Sequence, residues 1–423
     1  MLLKLRLLLF ILIGFICTSN AQNSAISDTG LSKIDALLED AIQQQAFPGA
    51  QILVAHEDAI VFHKTYGYHT YDSVQSVGLN DLYDLASVTK ILGPLPALMK
   101  LVDEGKIDLD VPFSDYWQPW RKYKDKKQIT LREILAHQAG LVPYIVFLNR
   151  ATKNGIPKDR FIKDSQSKNY KKQAYSNQFV KNGFQNKVFR IINRSKVSSN
   201  KEYRYSGLSF LLFPKVIENL SGKTYQSYLK ENIYDAVKSR TLGFNPNDKQ
   251  YSNTIVPTEL DTFWRKSLVK GYVHDENAAL LGGVSGNAGL FGTADDLYKM
   301  MNLYQNMGKY KGQQILSEAV VKEFTRIQFQ KNNNRRGLGF DKPLIGNDTL
   351  ILENAYPSPK AAPSSFGHAG FTGTFVWADP KNQLVFIFLS NRVYPDRSHR
   401  KLYGLNIRTR LHDIFYDELI KAQ

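Results

Sequence analysis

The 423-residue sequence contains a single cysteine, Cys17, close to the amino terminus. A disulfide framework, a thiol nucleophile and a cysteine-ligated metal site are therefore excluded for the rest of the chain. Acidic residues are also scarce, because 39 Asp and Glu stand against 55 Lys and Arg and leave a net charge of +16. With 43% hydrophobic and 22% charged residues, the composition is typical of a globular protein and excludes a largely disordered chain.

Several common catalytic motifs are missing. The sequence has no HExxH zinc motif, no glycine-rich phosphate loop and no GxSxG nucleophile elbow. Its eight histidines are scattered without the spacing of metal ligands. Metal-dependent hydrolysis and nucleotide chemistry are therefore disfavoured, and no cofactor or metal is expected. Serine, threonine, lysine and the carboxylates remain as candidate nucleophiles.

The longest apolar run is confined to the start of the chain. Lys4 and Arg6 precede an apolar stretch over residues 7–17, and small residues follow up to Ala21. This pattern predicts a cleavable signal peptide over residues 1–21, and the run is about half the length that a membrane-spanning helix needs. We expect a periplasmic or secreted protein with no stable membrane anchor. Its mature chain would lose two positive charges and the only cysteine.

Helical and β-type patterns occur at both ends of the remaining sequence. Helical spacing of apolar residues predicts helices over 29–46, with Thr29 as a candidate cap, and over 402–420. Two apolar runs within 50–66 predict a hairpin, and 372–378 with 383–389 predict a second one. The pattern favours an α/β (α+β) fold, in which both termini build one antiparallel β-sheet flanked by helices.

The middle of the chain differs in composition. We predict a sheet domain formed by residues 22–112 and 290–423, with 113–289 as a mainly helical insertion that completes the active site. Residues 150–204 contain 15 Lys or Arg and only three acidic residues. A solvated helical face is favoured here over a specific anion site. At most weak contact with anionic envelope polymers is expected, and the absence of a nucleic-acid-binding motif argues against DNA or RNA.

A serine and a lysine lie three residues apart in DLASVTKILG, at the start of a helical pattern. On a helix, Ser87 and Lys90 would share a face, so the lysine nitrogen could reach the serine hydroxyl. The helix dipole would also favour negative charge at a serine in the first turn. The spacing alone is weak evidence, because SxxK also begins at Ser165, Ser198, Ser227, Ser267 and Ser398.

Two prolines follow the pair closely. Pro94 and Pro96 would each remove a backbone donor and clash with the preceding turn of a continuous helix. We therefore predict a kink near Gly93. The turn that holds Ser87 and Lys90 lies before this kink, so their shared face can persist.

A wider comparison of motifs identifies a family resemblance. The sequence resembles the serine β-lactamase and penicillin-binding-protein family, in particular its class C-like and esterase-like branch, and it is similar to a β-lactamase-type serine hydrolase module of Bacteroidetes-like bacteria. The matching stretches are FPGAQILVAHEDAIVFHKTYGY, LASVTKILG, LVDEGKIDLD, ITLREILAHQAGLVP, YSGLSFLLFPKVIENLSGKTYQSYL, GGVSGNAGLFGTADDLYKMM and FGHAGFTGTFVWADPKNQLVFIFLSNR. The resemblance implies a β-lactamase/transpeptidase-like fold.

The resemblance also implies catalytic roles. Ser87 would be the acylated nucleophile, Lys90 would help to remove its proton, and Tyr205 would act as general base and later as acid to the leaving group. Gly207 departs from the family pattern, which has Asn or Asp at this place. Literal YxN triplets occur elsewhere, and Tyr175 with Asn177 is the alternative to Tyr205.

A third family element is a KTG or HxG triplet beside the nucleophile. This chain has no KTG, and His368-Ala369-Gly370 is its HxG triplet. The resemblance places His368 and Gly370 at the substrate, with the N–H groups of Phe371 and Ser87 as the oxyanion pair. His137, in LAHQAGL, is interpreted as structural.

These assignments predict a serine hydrolase that works through an acyl-enzyme. Its substrate would be a D-Ala-D-Ala-type peptide, a β-lactam or a small ester, and the partner would be a small molecule or a peptidoglycan-derived compound. The alternative hypothesis is a catalytically impaired penicillin- or peptidoglycan-binding protein, which Gly207 favours.

Overall fold

The computed structural model describes residues 25–420. The predicted signal peptide over residues 1–21 lies outside the described residues. Across the part of the chain that is described, no helix combines the length and the apolar character needed to cross a membrane.

A five-stranded sheet forms the centre of the molecule. Its strands are β1 (Gly49–His56), β2 (Ala59–Gly67), β3 (Phe366–Ala369), β4 (Phe375–Asp379) and β5 (Leu384–Ser390). They lie in the order β3-β4-β5-β1-β2, and every neighbouring pair is antiparallel. The predicted antiparallel sheet built from both ends of the chain is therefore confirmed. The sheet also contains a strand that was not predicted, β3.

Strands β1, β4 and β5 are buried on both faces, which explains their nearly continuous apolar runs, whereas the edge strand β2 is partly exposed. Ile52 and Val54 of β1 belong to one buried cluster, whereas Leu53 belongs to another. The same alternation places Trp377 and Val376 of β4 on opposite faces. Successive side chains of a strand point to opposite faces, so each run supplies two cores at once.

Helices cover both faces. Helices α1 (Asp28–Gln43) and α5 (Ile407–Leu419) pack on one face, and α4 (Ala294–Gln305) packs on the other. Between β2 and α4, the short helix α2 (Thr89–Leu92) and the longer α3 (Pro94–Asp103) join the same core as α4. The arrangement is a mixed fold in which an antiparallel sheet is flanked by helices.

Three predicted helices can be compared with the structure: the cap of the first and the continuity of the second differ from the prediction, and the kink in the third agrees with it. Ser27 rather than Thr29 caps α1, because its extended backbone lets its hydroxyl accept from the Gly30 N–H at 3.0 Å. The helix predicted over 402–420 is interrupted at Asn406, which has a φ of 49°. The predicted kink at Gly93 is confirmed, since α2 ends there and Pro94 begins α3, where a missing N–H costs no hydrogen bond.

The remaining elements are short. The other α-helices are Leu131–Leu135, Leu148–Ala151, Phe184–Arg194, Phe213–Ser221, Tyr225–Leu229, Glu276–Leu280, Glu318–Thr325 and Lys401–Gly404. Two three-stranded sheets comprise Tyr83–Asp84, Leu290–Gly292 and Gly243–Phe244, and Ile162–Lys163, Gln178–Lys181 and Tyr170–Tyr175. Three hairpins pair Thr152–Lys153 with Ile156–Pro157, Leu260–Asp261 with Ser267–Leu268, and Lys309–Tyr310 with Gln313–Gln314.

The helical interpretation of residues 150–204 is wrong for their first half. Residues 152–181 form hairpins, and only Phe184–Arg194 is a helix of several turns. Asn154 and Gly155 explain the first hairpin, because both have positive φ angles, as the tight turn of a two-residue hairpin requires. An Asn-Gly pair is a typical sequence signal for such a turn, so this hairpin can be predicted despite the many charged residues around it.

The division into a sheet domain and an insertion stays a prediction. A single buried cluster includes Leu109 and Phe113 on either side of one boundary. It also includes Ala288 and Leu290 on either side of the other. The two parts of the chain therefore share one core.

Candidate active site

Ser87 and Lys90 meet at the start of α2. Ser87 lies in a single 3-10 turn, Ala86–Val88, and Lys90 lies in the helix that follows. The Lys90 Nζ is 2.9 Å from the Ser87 Oγ and donates to the Asn287 carbonyl at 2.8 Å. Lys90 is only 2% exposed. The sequence spacing thus corresponds to a real contact.

Burial distinguishes this SxxK from the five others. The lysines of the remaining copies are all exposed, namely Lys168, Lys201, Lys230, Lys270 and Lys401. An exposed ammonium keeps its water shell and gains little from a nearby hydroxyl, whereas the Lys90 nitrogen is held in place by two protein oxygens. The sequence spacing alone could not show this difference.

The backbone before Ser87 is strained. Ala86 has a φ of 44°, in the left-handed region that residues with a Cβ seldom occupy. The buried Asp84 carboxylate compensates by accepting from the Ala86 N–H at 2.8 Å and from the His274 N–H at 2.6 Å. Strain of this kind persists only where surrounding contacts fix it. It orients the turn that carries Ser87.

The loop after β3 is tied to the same segment. Thr372 donates to the Asp84 carbonyl at 2.8 Å and Thr374 to the Leu85 carbonyl at 3.1 Å. Because these residues form a turn, the strand predicted over 372–378 begins only at Phe375. Gly370 lies so close that a Cβ there would be 2.6 Å from the Leu85 carbonyl oxygen. Any side chain at position 370 would push the loop away from Ser87.

This packing puts Phe371 beside Ser87 at the wall of one cavity. Other groups close the two turns, since Val88 donates to Leu85 and Gly370 to Thr374. Backbone N–H groups on two neighbouring turns can together hold a developing oxyanion.

Tyr205 lines the same cavity as Ser87 and Lys90. The Lys90 nitrogen lies 5.5 Å from the centre of its ring, and the Arg336 guanidinium carbon 5.4 Å. His137 packs against the ring at 4.5 Å and accepts from the Ser206 N–H at 3.3 Å. The structure therefore brings Tyr205 to the nucleophile and gives His137 a supporting position behind it.

The alternative tyrosine lies elsewhere. Tyr175 contacts the Ser267 hydroxyl at 2.7 Å and donates to the Leu268 carbonyl at 3.1 Å. It is not among the residues that line the Ser87 cavity. Its sequence motif, Tyr175 with Asn177, belongs to a hairpin turn between Tyr170–Tyr175 and Gln178–Lys181. The Tyr175 alternative is therefore wrong.

The cavity has a volume of about 570 Å³ and a mixed lining. Beside Ser87, Lys90, Tyr205 and Phe371, it is lined by Ala86, Pro143, Tyr144, Val146, Leu148, Asn149, Gly207, Phe263, His274, Asp275, Glu276, Asn287, Ala288 and Arg397. Its size suits a small organic substrate.

Comparison with known proteins agrees with this geometry. Residues 34–409 match the family model for Beta-lactamase. The chain belongs to the Beta-lactamase family. A Salmonella typhimurium protein, named as a candidate D-alanyl-D-alanine carboxypeptidase, is 27% identical over 91% of this chain and 88% of its own length.

Solved structures of the same fold extend the comparison. EstCE1, a hydrolase with promiscuous acyltransferase activity, superposes with a TM-score of 0.63 at 16% identity, over 93% of this chain and 99% of its own. A class C β-lactamase from Rhodobacter sphaeroides gives 0.60 at 16% identity, over 90% and 99%. A penicillin-binding-protein homologue from Caulobacter crescentus gives 0.62 at 17% identity, over 93% and 99%. The fold is that of β-lactamases and transpeptidases, and the protein is a serine hydrolase of this family.

Gly207 leaves an open position in this β-lactamase-family site. A Cβ at Gly207 would have the Lys90 Cε as its nearest neighbour, at 4.0 Å. The Gly207 N–H donates to the Pro143 carbonyl at 3.1 Å, which keeps the residue beside the cavity. A Cβ therefore fits here without a clash, in ordinary van der Waals contact with the lysine side chain.

His368 occupies a less accessible place than the sequence indicated. It lies within β3, is 3% exposed and is not among the cavity-lining residues. Burial, with the neighbouring Arg336 and Lys90 cations, lowers the pKa of His368 to about 3. A neutral ring 6.1 Å from Tyr205 can pack against that residue rather than carry charge.

A polar residue that the sequence motifs do not single out lies opposite Lys90. The Asn287 side chain accepts from the Ser285 hydroxyl at 2.7 Å and donates to the Asp275 carboxylate at 3.1 Å. The backbone carbonyl of Asn287 accepts from the Lys90 nitrogen. Asp275 also caps the helix Glu276–Leu280. Asn287 lies in the family stretch GGVSGNAGLFGT, but nothing in its own residue type marks it, since its contact with Lys90 is made by the backbone.

Proposed function

We propose that this protein hydrolyses its substrate through an acyl-enzyme formed on Ser87, with a D-Ala-D-Ala-type peptide, a β-lactam or a small ester as the substrate class. The observation that carries the proposal is the contact between Ser87 and the buried Lys90 at a cavity of substrate size. A serine hydroxyl is a weak nucleophile unless an adjacent group activates it.

The chemistry follows from the positions of four groups. Ser87 Oγ attacks the carbonyl carbon and its proton passes to Lys90 or Tyr205, while the Ser87 and Phe371 N–H groups hold the oxyanion. Tyr205 then protonates the leaving group as the tetrahedral intermediate collapses. Water releases the acyl group from Ser87 by the same steps in reverse order.

The charges of the cavity favour esters within this class. Two cations line the cavity, and both are already engaged. Lys90 contacts Ser87 and Asn287, and Arg397 donates to Glu259 at 2.6 Å and to Glu276 at 2.7 Å. A peptide that ends in a free carboxylate would have to compete with these glutamates, whereas a neutral ester would not. Gly207 also removes an expected contact to a substrate amide.

The second candidate is an impaired binding protein, favoured by the empty position at Gly207. A single experiment separates the two functions: intact-protein mass spectrometry after exposure to benzylpenicillin and to a fluorophosphonate, on wild type and Ser87→Ala. We expect a fluorophosphonate adduct on wild type and none on Ser87→Ala. A penicillin adduct that persists for hours without ester turnover would favour the binding protein. Absence of both adducts and of turnover would contradict an acyl-enzyme on Ser87, and with it the proposed hydrolase.

Export is part of the same proposal. The leader pattern at residues 1–21 supports a periplasmic or secreted enzyme that begins at Gln22. N-terminal sequencing of the protein from its natural source tests this. An intact Met1, or a lipid on Cys17, would contradict it.

A further inference from the structure

Several exposed residues at the mouth of the active-site cavity are apolar. Four large apolar residues that line the cavity are exposed, namely Tyr144, Val146, Phe263 and Phe371, and Phe263 is 52% exposed. Ile156, at 67% exposure, lies next to them, because the Gly155 backbone packs directly on the Phe263 carbonyl. We call these five residues the apolar rim. An exposed apolar cluster of this kind typically marks an interaction site.

The hairpin that carries Phe263 extends the apolar surface. Leu260 and Leu268 are cross-strand partners in this hairpin, and both are exposed. Phe263 lies in the loop between them. The hairpin thus presents apolar side chains along its length, although none of them is needed to close a core.

A cluster of positive charge adjoins the apolar rim. It consists of Arg150, Lys158, Arg160, Lys187 and Arg190, which we call the cationic cluster. Desolvation lowers the pKa of Lys187, and the charges of the other four residues, which lie close to it, lower this pKa further. Lys187 and Arg160 stack on Phe161 at 4.4 and 4.9 Å. Within residues 25–420 no member forms an ion pair, and the nearby Asp159 pairs instead with Lys163.

The cluster and the rim are continuous. Lys158 donates to the carbonyls of Asn149 and Arg150, at 3.1 and 3.3 Å, and Asn149 lines the cavity. Lys158 also follows Ile156 by two residues in the hairpin of Thr152–Lys153 and Ile156–Pro157. One surface therefore contains the cavity mouth, exposed apolar side chains and five unpaired cations.

We propose that this surface binds reversibly to an anionic lipid membrane, and that the cavity takes an amphiphilic ester from it. A lipid interface offers acyl chains to the apolar rim and phosphate groups to the cationic cluster, so it satisfies both features. An anionic polymer would satisfy only the cations. The substrate half of the proposal rests on the proposed hydrolase function, whereas the binding half does not.

The binding half is tested with the Ser87→Ala protein, which leaves vesicle lipids intact. Co-sedimentation should show binding to phosphatidylglycerol-containing vesicles and little binding to pure phosphatidylcholine. Arg160→Ala/Lys187→Ala should weaken the binding roughly 25-fold, since each cation near an anionic surface contributes roughly fivefold. Ile156→Ser should also weaken it.

Matched controls lie outside this surface. Ile351 is 64% exposed, so Ile351→Ser removes an equally exposed apolar side chain and should leave binding unchanged. Lys309→Ala/Lys311→Ala removes the same charge from another hairpin. Absence of vesicle binding at 0.1 M salt overturns the proposal. Equal binding to long-chain polyphosphate, with no effect of Ile156→Ser, also overturns it and indicates a polyanionic polymer.

The substrate half is tested with the Ser87 enzyme and two esters. A long-chain p-nitrophenyl ester in anionic vesicles should be hydrolysed more slowly by Arg160→Ala/Lys187→Ala and by Ile156→Ser, whereas soluble p-nitrophenyl acetate should not. Equal rates on the vesicle ester would overturn this half. Vesicle binding without any Ser87-dependent hydrolysis of either ester would instead overturn the substrate half through the ester branch of the proposed function, and it would leave the binding half intact.

Discussion

Two regions of the molecule are built in different ways. The first is the sheet half, which consists of the five-stranded sheet with helices α1 and α5, and the second is the cavity half, which contains the active-site cavity. In the first, alternate side chains of each strand enter two apolar cores, and the backbone ladder satisfies the polar groups. In the second, buried charged and polar groups such as Asp84, Lys90 and His274 hold irregular segments together. Loss of apolar volume in the first half should lower stability and leave the activity of the folded protein unchanged. In the second half, loss of a single polar atom should abolish activity.

The sequence separations of the contacts explain this contrast. Lys90 meets Asn287 across 197 residues, and Thr372 meets Asp84 across 288. Adjacent strands β4 and β5, by comparison, are joined by a short turn. Long-range polar contacts leave no periodic pattern in the chain, so the cavity half is the harder one to predict.

The largest expected effect is on the cavity side. Ser87→Ala should lower kcat/KM for a p-nitrophenyl ester by at least about 10³-fold, because the bond-forming oxygen is lost while the fold is untouched. Thermal unfolding should occur at nearly the same temperature as in wild type. Ser165→Ala, in an exposed SxxK copy, is the matched control and should keep full activity. Turnover by Ser87→Ala close to wild type would show that another nucleophile acts.

In the sheet half, the corresponding experiment should change stability instead. Trp377 is fully buried, stacks on Phe375 at 5.4 Å and donates to Ser365 at 3.0 Å. Trp377→Ala should lower the free energy of unfolding by about 3–5 kcal/mol in urea titrations. The kcat/KM of the molecules that remain folded should stay near wild type. A specific loss of activity at full stability would break the contrast between the two halves.

The predictions from sequence divide along the same line. The strands β1, β2, β4 and β5 follow from short apolar runs bounded by turn residues, and these runs are nearly continuous in β1, β4 and β5, where both strand faces are packed. Strand β3 was missed because it has four residues, includes Gly367 and looks like part of a loop. Ser87 and Lys90 were found from local spacing together with the family resemblance.

Other features of the site had no local pattern. Lys90 burial depends on Asn287, which lies almost 200 residues away in sequence. The HxG motif predicts His368 at the substrate, but the burial of this residue beside Arg336 and its ring contact with Tyr205 depend on packing that the motif does not encode. The HxG triplet identifies a neighbourhood, and the structure decides which of its atoms can reach the cavity.

Acid should destabilise the sheet half through His412. This residue is buried against Phe386 at 4.6 Å, and burial lowers its pKa to about 3. The unfolded chain, with an ordinary histidine pKa near 6.5, therefore takes up the proton first as the pH falls. Stability is lost from about pH 6.5 downward, by about 1.4 kcal/mol per pH unit until the folded pKa is approached.

His412→Phe should remove this part of the loss. It should flatten the fall in the urea-derived free energy by about 2 kcal/mol between pH 6.5 and 5. His368, whose pKa is lowered in the same direction, is retained in both proteins and cancels in the comparison. Equal slopes in wild type and variant would mean that His412 is protonated in the folded state or that unfolding is not sensitive to it.

The smallest expected effect concerns Gly207, where the cavity half lacks a side chain. Gly207→Asn should place an amide near Lys90, since a Cβ there has its nearest neighbour, Lys90 Cε, at 4.0 Å. A hydrogen bond to a charged group, or to the amide of a substrate, contributes about 1.5 kcal/mol at the lower end, or about tenfold in rate. An ester has no amide N–H to orient, so it should gain less. The kcat/KM for a chromogenic cephalosporin should therefore rise about tenfold relative to that for a p-nitrophenyl ester.

Gly207→Ala adds the Cβ without the amide and should leave the ratio unchanged. If both variants fold and give the same ratio, the missing amide contact is not at position 207, and the Asn287 side chain becomes the next residue to test.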